Sequence, residues 1–196
     1  NIDRLAGQGM LFERWYSASS ICTPSRFGLL TGRNPSRSNH QLLSALMFMA
    51  DEHKTTGIQA GETTIAERLR DSGYDTSVIG KWHLGEWLPE HLPMGQGFDH
   101  QYGHYAWGID YYTKTIVHNA PARFAVYDWH RNQKPIQEDG YATDLIAAEA
   151  ERILKSRSRK EQPFFMYVAF NAVHGPLNPP PGFEGDPNDP LAIRHA

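Results

Sequence analysis

The sequence predicts an α/β fold in which a mostly parallel sheet lies between helices. Two helix-then-strand repeats carry this prediction. A helical pattern over residues 64–72 precedes a β-branched stretch at 74–80, and one over 139–160 precedes an apolar stretch at 163–170. Parallel strands need a crossover, usually a helix, so alternating helices and strands favour a parallel sheet. Polar side chains follow the predicted strands, at the edge where such sheets place their sites.

Composition limits the class of protein. The 196 residues are 40% hydrophobic and 21% charged, which suits one globular domain or part of one. A net charge of −3 gives no electrostatic reason to bind nucleic acid, and no apolar run approaches the roughly 18 residues that cross a bilayer. The single cysteine cannot form an internal disulfide. The sequence opens without a methionine and shows no signal peptide.

The chain begins with a predicted β-turn-α unit. Residues 2–6 are predicted to form a short helix, residues 10–16 a strand, and residues 17–20 a tight polar turn. By analogy with other α/β folds, this unit would present Cys22 at the carboxyl edge of the sheet.

A helix is predicted to start near Cys22. Ser20 or Thr23 could cap it, and Pro24 suits its first turn because an N–H there would have no partner. A helix N-terminus favours anions and lowers the pKa of a thiol, and Arg26 adds a permanent cation one turn later. The arrangement favours an oxyanion site. The alternative is that a lone cysteine is simply a small buried apolar residue.

Residues 34–61 are predicted to form a surface loop, with a short packed helix over 42–50 as the alternative. His40 and His53 could be ligands or substrate contacts. We favour solvated histidines, because neither has a partner at metal-ligand spacing.

The next helix-strand pair carries clear signals. Thr64 and Glu67 form a capping box at the start of the helix, and the strand at 74–80 follows it. Lys81 and His83 come next, two positions apart, so in an extended strand end they would point to the same side. A cation and an imidazole there would suit an anionic substrate that needs proton transfer. The alternative is that Lys81 and His83 are ordinary surface residues with a structural role.

An irregular region rich in aromatic residues spans 86–131. Long irregular segments inside a compact domain are usually functional. Some of its aromatic side chains could line a cleft for a sugar ring, although core packing is the alternative for most of them. The candidates are Trp107, Tyr111, Tyr112 and Trp129.

The last predicted elements are the helix at 139–160 and the strand at 163–170. We interpret the basic residues near the helix end as a solvated, dipole-complementing group rather than a nucleic-acid site. They are Lys155, Arg157, Arg159 and Lys160. The near-continuous apolar strand is typical of a central strand covered on both faces. His174 follows it before a Gly-Pro turn, at the same predicted sheet edge as Cys22 and His83.

Three strings together resemble the type I sulfatase family. Residues 22–26 read CTPSR and are followed by LLTGR at 29–33, residues 80–85 read GKWHLG, and His174 stands two positions before a proline. A softer similarity lies in the order Leu-Pro, Gly-Phe-Asp, Tyr-Gly and Asp-Tyr-Tyr within 88–112. It is to the arylsulfatase B branch, whose members act on N-acetylgalactosamine 4-sulfate.

The resemblance implies an alkaline-phosphatase-like fold. Residues 1–196 would be part of the N-terminal catalytic domain, lacking its first strand and its C-terminal portion. A formylglycine-generating or maturase enzyme would read Cys22, Pro24 and Arg26 and oxidise the cysteine to Cα-formylglycine. The hydrated aldehyde would then attack the sulfur of an aryl or carbohydrate sulfate ester. Such proteins are periplasmic or secreted, or lysosomal in a eukaryote.

The same resemblance implies roles for single residues. Arg26 would steady the hydrate, Lys81 and His174 would contact sulfate, and His83 would deprotonate the hydroxyl that expels it. A divalent cation, usually Ca2+, would be bound by Cys22 as formylglycine, with its other ligands outside this chain. We therefore expect that the 196 residues alone neither bind calcium tightly nor catalyse turnover of a sulfate ester. Micromolar binding in a calorimetric titration would contradict this.

Two alternatives stay open. A formylglycine-dependent phosphonate or phosphodiester hydrolase of the same superfamily would share the Cys-x-Pro-x-Arg pattern but cleave at phosphorus. A non-catalytic glycan-binding relative would use the aromatic loops and keep Cys22 as a thiol, which the intact pattern disfavours.

Overall fold

The computed structural model describes residues 1–38, 40–47, 54–116, 126–157 and 161–195. The α-helices of this part are α1 (Ile2–Gln8), α2 (Cys22–Thr31), α3 (Ile65–Asp71), α4 (Ala142–Arg157) and α5 (Pro190–His195). The strands are β1 (Asp75–Gly80), β2 (His100–Gly103), β3 (His130–Arg131), β4 (Lys134–Pro135) and β5 (Phe164–Ala169). Short 3-10 turns lie at Pro35–Arg37, His40–Leu43, Pro89–His91 and Pro93–Gln96. No helix of this part is long and apolar enough to cross a membrane.

The five strands form one mixed sheet in the order β4-β3-β2-β1-β5. β1 is parallel to both of its neighbours, β2 and β5, whereas β3 and β4 continue the sheet as antiparallel strands. The predicted α/β class with a mostly parallel core is therefore confirmed. The carboxyl ends of β1, β2 and β5 meet at one edge, and Lys81 and the segment leading to His174 leave the sheet there.

The sheet separates two hydrophobic clusters. Val78 of β1 belongs to a cluster with Phe27, Leu30 and Trp82, while its neighbour Ile79 belongs to the other cluster, which includes residues of α4. Successive strand residues point to opposite faces, which explains this division. β5 contributes to both clusters, so its apolar run packs on both faces, but most of its side chains are only half-buried and Phe164 is exposed, so the predicted full cover is not complete. Within the described residues, however, β5 pairs only with β1 and forms the edge of the sheet rather than its centre.

The capping box at the start of α3 is confirmed. The Thr64 hydroxyl oxygen accepts the Glu67 N–H at 3.1 Å, and the Glu67 carboxylate accepts the Thr64 N–H at 2.7 Å. Two N–H groups of the first turn that would otherwise have no partner are satisfied in this way.

The basic end of α4 differs in part from the prediction. Lys155 is exposed and pairs with Glu151 one turn earlier, as a solvated group would. Arg157 is buried and forms an ion pair with Asp75 of β1, so it fastens the helix to the sheet. Arg159 and Lys160 lie outside the described residues.

The predicted strand at 10–16 is wrong. These residues have no strand pairing, and their large side chains are exposed, with Trp15 at 73% and Tyr16 at 82%. An apolar segment becomes a strand only when a partner offers backbone hydrogen bonds, and no described segment pairs with it. The alternative helix at 42–50 is represented only by the 3-10 turn His40–Leu43, and residues 48–50 lie outside the described part.

Candidate active site

Cys22 is the first residue of α2, as predicted, and it is a half-buried free thiol. The predicted caps are wrong: the N-cap residue is Ile21, whose N–H donates to the Ser19 hydroxyl at 3.2 Å. The Thr23 hydroxyl instead donates to the carbonyl of His83 at 3.1 Å and accepts the Leu46 N–H at 3.2 Å. Thr23 therefore ties the start of α2 to the chain that leaves β1.

Arg26 lies one turn after Cys22. Its Nη1 donates to the Lys81 carbonyl at 2.7 Å and to the Tyr167 hydroxyl at 3.0 Å. Both acceptors are uncharged. Among the described residues, no carboxylate forms an ion pair with Arg26, so the charge of the guanidinium is not neutralised by this part of the chain.

Lys81 is also held by an uncharged group. Its side chain is buried, and Nζ donates to the main-chain carbonyl of Trp107. Burial lowers the pKa of Lys81 to about 8, which leaves most of the ammonium charged at pH 7. No described carboxylate lies within ion-pair distance of it. A second cation without a counter-ion thus stands at the carboxyl end of β1.

His83 occupies a different place from the one predicted. The strand ends at Gly80, and His83 has a φ of 59°, so the chain is not extended here and the same-side argument does not apply. Its ring is fully buried, and Nε2 lies 2.8 Å from the Leu46 carbonyl. A carbonyl can only accept, so this bond places the ring proton on Nε2 and leaves Nδ1 as an acceptor. Nδ1 is buried and has no hydrogen-bond partner among the described residues.

The electrostatics of His83 agree with that assignment. Burial is the largest cause, with the positive charge of Lys81 next, and together they hold the pKa of His83 well below its ordinary value. The imidazole is therefore neutral at pH 7, with Nδ1 as its acceptor.

His174 follows β5 and is half-buried. Its Nδ1 lies 2.8 Å from the Gly175 carbonyl, so Nδ1 carries the proton and Nε2 is the acceptor. The Trp107 ring meets it edge-on with centroids 5.4 Å apart, and Tyr111 donates to its main-chain carbonyl at 2.9 Å. Burial lowers the pKa of His174 below its ordinary value. The orientation of the ring is thus set by the Gly175 carbonyl and by Trp107, which lies on the segment between β2 and β3.

Four of the predicted residues line one cleft of about 320 Å³. They are Cys22, Arg26, Lys81 and His174, joined by residues 170–173. A second cavity, of about 600 Å³, lies on the other side of Cys22 and Arg26 and includes Tyr167. His83 is not part of either lining and reaches this region through its carbonyl bond to Thr23. Pro24 is buried in the first turn of α2.

The predicted aromatic cleft is mostly core. Trp129 and Tyr111 are buried in the second hydrophobic cluster. Tyr112 is 43% exposed and donates to the Pro179 carbonyl, while Trp107 contacts His174. Only Trp107 thus touches a residue of the cleft with its ring. The side chain of His40 is not among those described, and His53 lies outside the described residues.

Three contributors were not identified from the sequence. The Tyr167 hydroxyl holds Arg26, the Trp107 carbonyl holds Lys81, and the buried Glu86 carboxyl lies 3.9 Å from His83 Nε2. A tyrosine in the otherwise apolar string FFMYVAF was a usable signal. A main-chain carbonyl has no signal, because every residue carries one.

The residues present do not form a metal site by themselves. In the described ranges, no group of three or more His, Cys, Asp or Glu side chains could hold an ion. Cys22, as formylglycine, would be a single ligand, and calcium takes six to eight oxygens. The neighbouring Arg26 and Lys81 are cations and would not ligate calcium.

Comparisons with known proteins agree with this geometry. The Sulfatase family model matches residues 1–189. The N-acetylgalactosamine-6-sulfatase of Rattus norvegicus is 34% identical over 188 residues, covering 90% of this chain and 35% of that protein. The arylsulfatase of Klebsiella aerogenes is 32% identical over 188 residues, covering 92% of this chain and 39% of that protein. The chain thus spans about a third of the length of the curated relatives it matches.

The solved structure of Ps i-CgsB in complex with k-i-k-neocarrahexaose gives a TM-score of 0.80 at 27% identity. It covers 100% of this chain, which covers 46% of it. The predicted alkaline-phosphatase-like fold is confirmed by this similarity. Because the family pattern is matched over nearly the whole length, and four of its signature residues line one cleft, the chain belongs to the sulfatase family.

Proposed function

We propose that the protein is a sulfuric ester hydrolase that acts through a formylglycine hydrate made from Cys22. The observation that carries the proposal is the pair of cations, Arg26 and Lys81, beside Cys22 without a carboxylate partner in the described part of the chain. A buried ammonium and a half-buried guanidinium side by side are costly unless an anion joins them. A sulfate ester supplies that anion. In its transition state the oxygen of the leaving alcohol gains negative charge, which nearby cations stabilise.

Each side chain has a part in this proposal. When formed, the formylglycine hydrate supplies a hydroxyl as nucleophile toward sulfur. Arg26 orients that group from one turn along α2 and adds its positive charge to the sulfate site, and Lys81 and His174 contact the sulfate oxygens from the ends of β1 and β5. These contacts are electrostatic stabilisation by groups that the fold has already fixed in place.

His83 would serve as the base, as the family resemblance implies, although its ring is not part of either cavity lining. The Leu46 carbonyl holds its Nε2 proton, so Nδ1 is the free acceptor, and burial keeps the ring neutral before the reaction. Removing a proton from the second hydroxyl of the hydrate allows sulfate to leave. The described residues do not complete a site for calcium.

The substrate class and the modifying partner are part of the proposal. The relatives act on sulfated sugars or aryl sulfates by name, and one structural neighbour holds a neocarrahexaose, which favours a carbohydrate or aryl sulfate ester. Cys22, Pro24 and Arg26 would be read by a formylglycine-generating or maturase enzyme. Because Pro24 is buried in the fold, that enzyme would read the motif before α2 packs. Periplasmic, secreted or lysosomal location follows from the same relationship.

Paired assays test the proposal on the complete protein from its native host. We expect hydrolysis of an aryl sulfate to exceed that of the matching aryl phosphonate ester. The Cys22→Ala control should lose at least about a thousandfold in kcat/KM, because it removes the nucleophile. A preference for the phosphonate would favour cleavage at phosphorus. Equal activity of wild type and Cys22→Ala would contradict the mechanism.

A further inference from the structure

Tyr167 lies on β5, the strand that forms the sheet edge next to β1 in the described residues. It pairs in register with Val78, so backbone hydrogen bonds on β1 fix its position. Its ring is half-buried and packs against the cluster that contains Phe27 of α2. The hydroxyl is thereby held at a defined point beside α2, although Tyr167 and Arg26 are 141 positions apart in sequence.

The Tyr167 hydroxyl determines, together with the Lys81 carbonyl, how the Arg26 guanidinium is held. A guanidinium Nη1 carries two N–H groups, and here one donates to the Lys81 carbonyl and the other to Tyr167. Nη1 is therefore fully used by the protein. Nε is buried and has no hydrogen-bond partner among the described residues. The two bonds at Nη1 fix the plane of the guanidinium, and since no described residue accepts from Nη2, its donors are left for another group.

The chemistry of the acceptor matters as well. A carboxylate in place of the phenol would hold Arg26 more strongly but would neutralise it. An uncharged hydroxyl orients the guanidinium and leaves its charge for an anion beside Cys22. Lys81 follows the same pattern, since its partner is the uncharged carbonyl of Trp107.

We infer that Tyr167 is a positioning residue, whose hydroxyl fixes the Arg26 guanidinium so that its remaining donors face the sulfate group bound beside Cys22. This inference rests on the proposed function and extends it to a residue outside the signature strings. Tyr167 lines the cavity on the other side of Cys22 and Arg26 and not the cleft that holds Lys81 and His174, so it acts on a sulfate in that cleft through Arg26.

The test compares Tyr167→Phe with wild type in the complete protein from its native host. Phenylalanine keeps the ring in the core and removes only the hydroxyl. We expect kcat/KM for an aryl sulfate to fall about tenfold, the scale of one hydrogen bond to a charged group. The inhibition constant for inorganic sulfate should rise severalfold. The extent of formylglycine conversion, read by peptide mass, should not change, because Tyr167 is outside the modification motif.

The matched control is Tyr127→Phe, which removes a half-buried hydroxyl that donates to the Ile136 carbonyl at 2.9 Å away from the cleft. It should leave kcat/KM and the sulfate inhibition constant unchanged. If Tyr167→Phe matches the control in both quantities, the inference is wrong. If wild type does not cleave sulfate esters, the proposed function fails instead. Calorimetric binding of inorganic sulfate to wild type and Tyr167→Phe then decides the inference, since equal affinities would overturn it.

Discussion

Glu86 shows how strongly position changes the chemistry of one residue. It follows the GKWHLG string and is only 8% exposed, and its Oε1 has no hydrogen-bond partner in the described chain. Burial raises the pKa of Glu86 to about 9, with the charge of Asp128 acting in the same direction. The carboxyl is therefore neutral at pH 7, where a solvated glutamate is ionised.

Glu86→Gln tests this protonation state through stability. The folded protein keeps the Glu86 proton between about pH 4.5 and 9, whereas the unfolded chain loses it. The stabilising effect of that proton is complete below the unfolded pKa and is lost as pH rises toward the folded pKa. Glutamine is uncharged at every pH. The free energy of unfolding of the variant should therefore rise relative to that of wild type as pH rises, by at most about 1.4 kcal/mol per pH unit.

Thermal unfolding at about pH 5, 6.5 and 8, which spans the range in which the folded and unfolded chains differ in protonation, measures the effect. The exposed Glu90→Gln is the control and should follow wild type at each pH. Parallel curves for Glu86→Gln and wild type would show that Glu86 is ionised in the folded protein.

At the residue scale, the signature strings predicted which side chains meet, but not how they are held. Cys22, Arg26, Lys81 and His174 carry recognisable patterns and share one cleft. The bond from Arg26 to Tyr167 joins residues 141 positions apart, and no local pattern encodes such a contact. The extended geometry predicted for His83 is wrong, because a two-residue period holds only while the strand continues and β1 ends at Gly80.

At the scale of single elements, local signals worked where the element satisfies its own polar groups. The capping box that starts α3 was visible in four consecutive residues, 64–67, and is present. The strand predicted from the local pattern of residues 10–16 is not formed. A strand depends on a neighbour that the segment itself does not specify, and its exposed apolar side chains reflect that missing partner.

Thr64→Ala measures the capping box. The Thr64 hydroxyl accepts from Glu67 N–H and also donates to the Gln96 carbonyl at 2.8 Å, so alanine removes two buried hydrogen bonds. We expect the free energy of unfolding to fall by about 1–2 kcal/mol. The exposed neighbour Thr63 supplies the control, and Thr63→Ala should change it by less than about 0.5 kcal/mol. Denaturant titration of both variants would refute the account if the two losses were equal.

At the scale of the whole molecule, alternating helices and strands predicted the sheet, because βα repeats leave few other architectures. The strand order was not predictable, since it depends on which strands each crossover brings together. β1 lies between β2 and β5 although β5 is the last strand in sequence.

Within the described residues β5 has an unpaired edge and the side chains of 10–16 are exposed, and the proposed domain organisation explains both. We propose that these 196 residues are part of a sulfatase N-terminal catalytic domain, whose first strand and C-terminal portion cover this surface. The proposal agrees with a chain that spans about a third of its relatives. Exposed apolar surface of this kind would otherwise favour aggregation.

The central claim is that Cys22 becomes the nucleophile, and the mass of the proteolytic peptide that contains it tests this most directly. The protein should be complete and purified from its native host. We predict a peptide in which the CH2SH group has been replaced by an aldehyde, or by its hydrate, and which resists alkylation. A peptide with an unmodified, alkylatable thiol would contradict the account and would favour a glycan-binding protein without this chemistry.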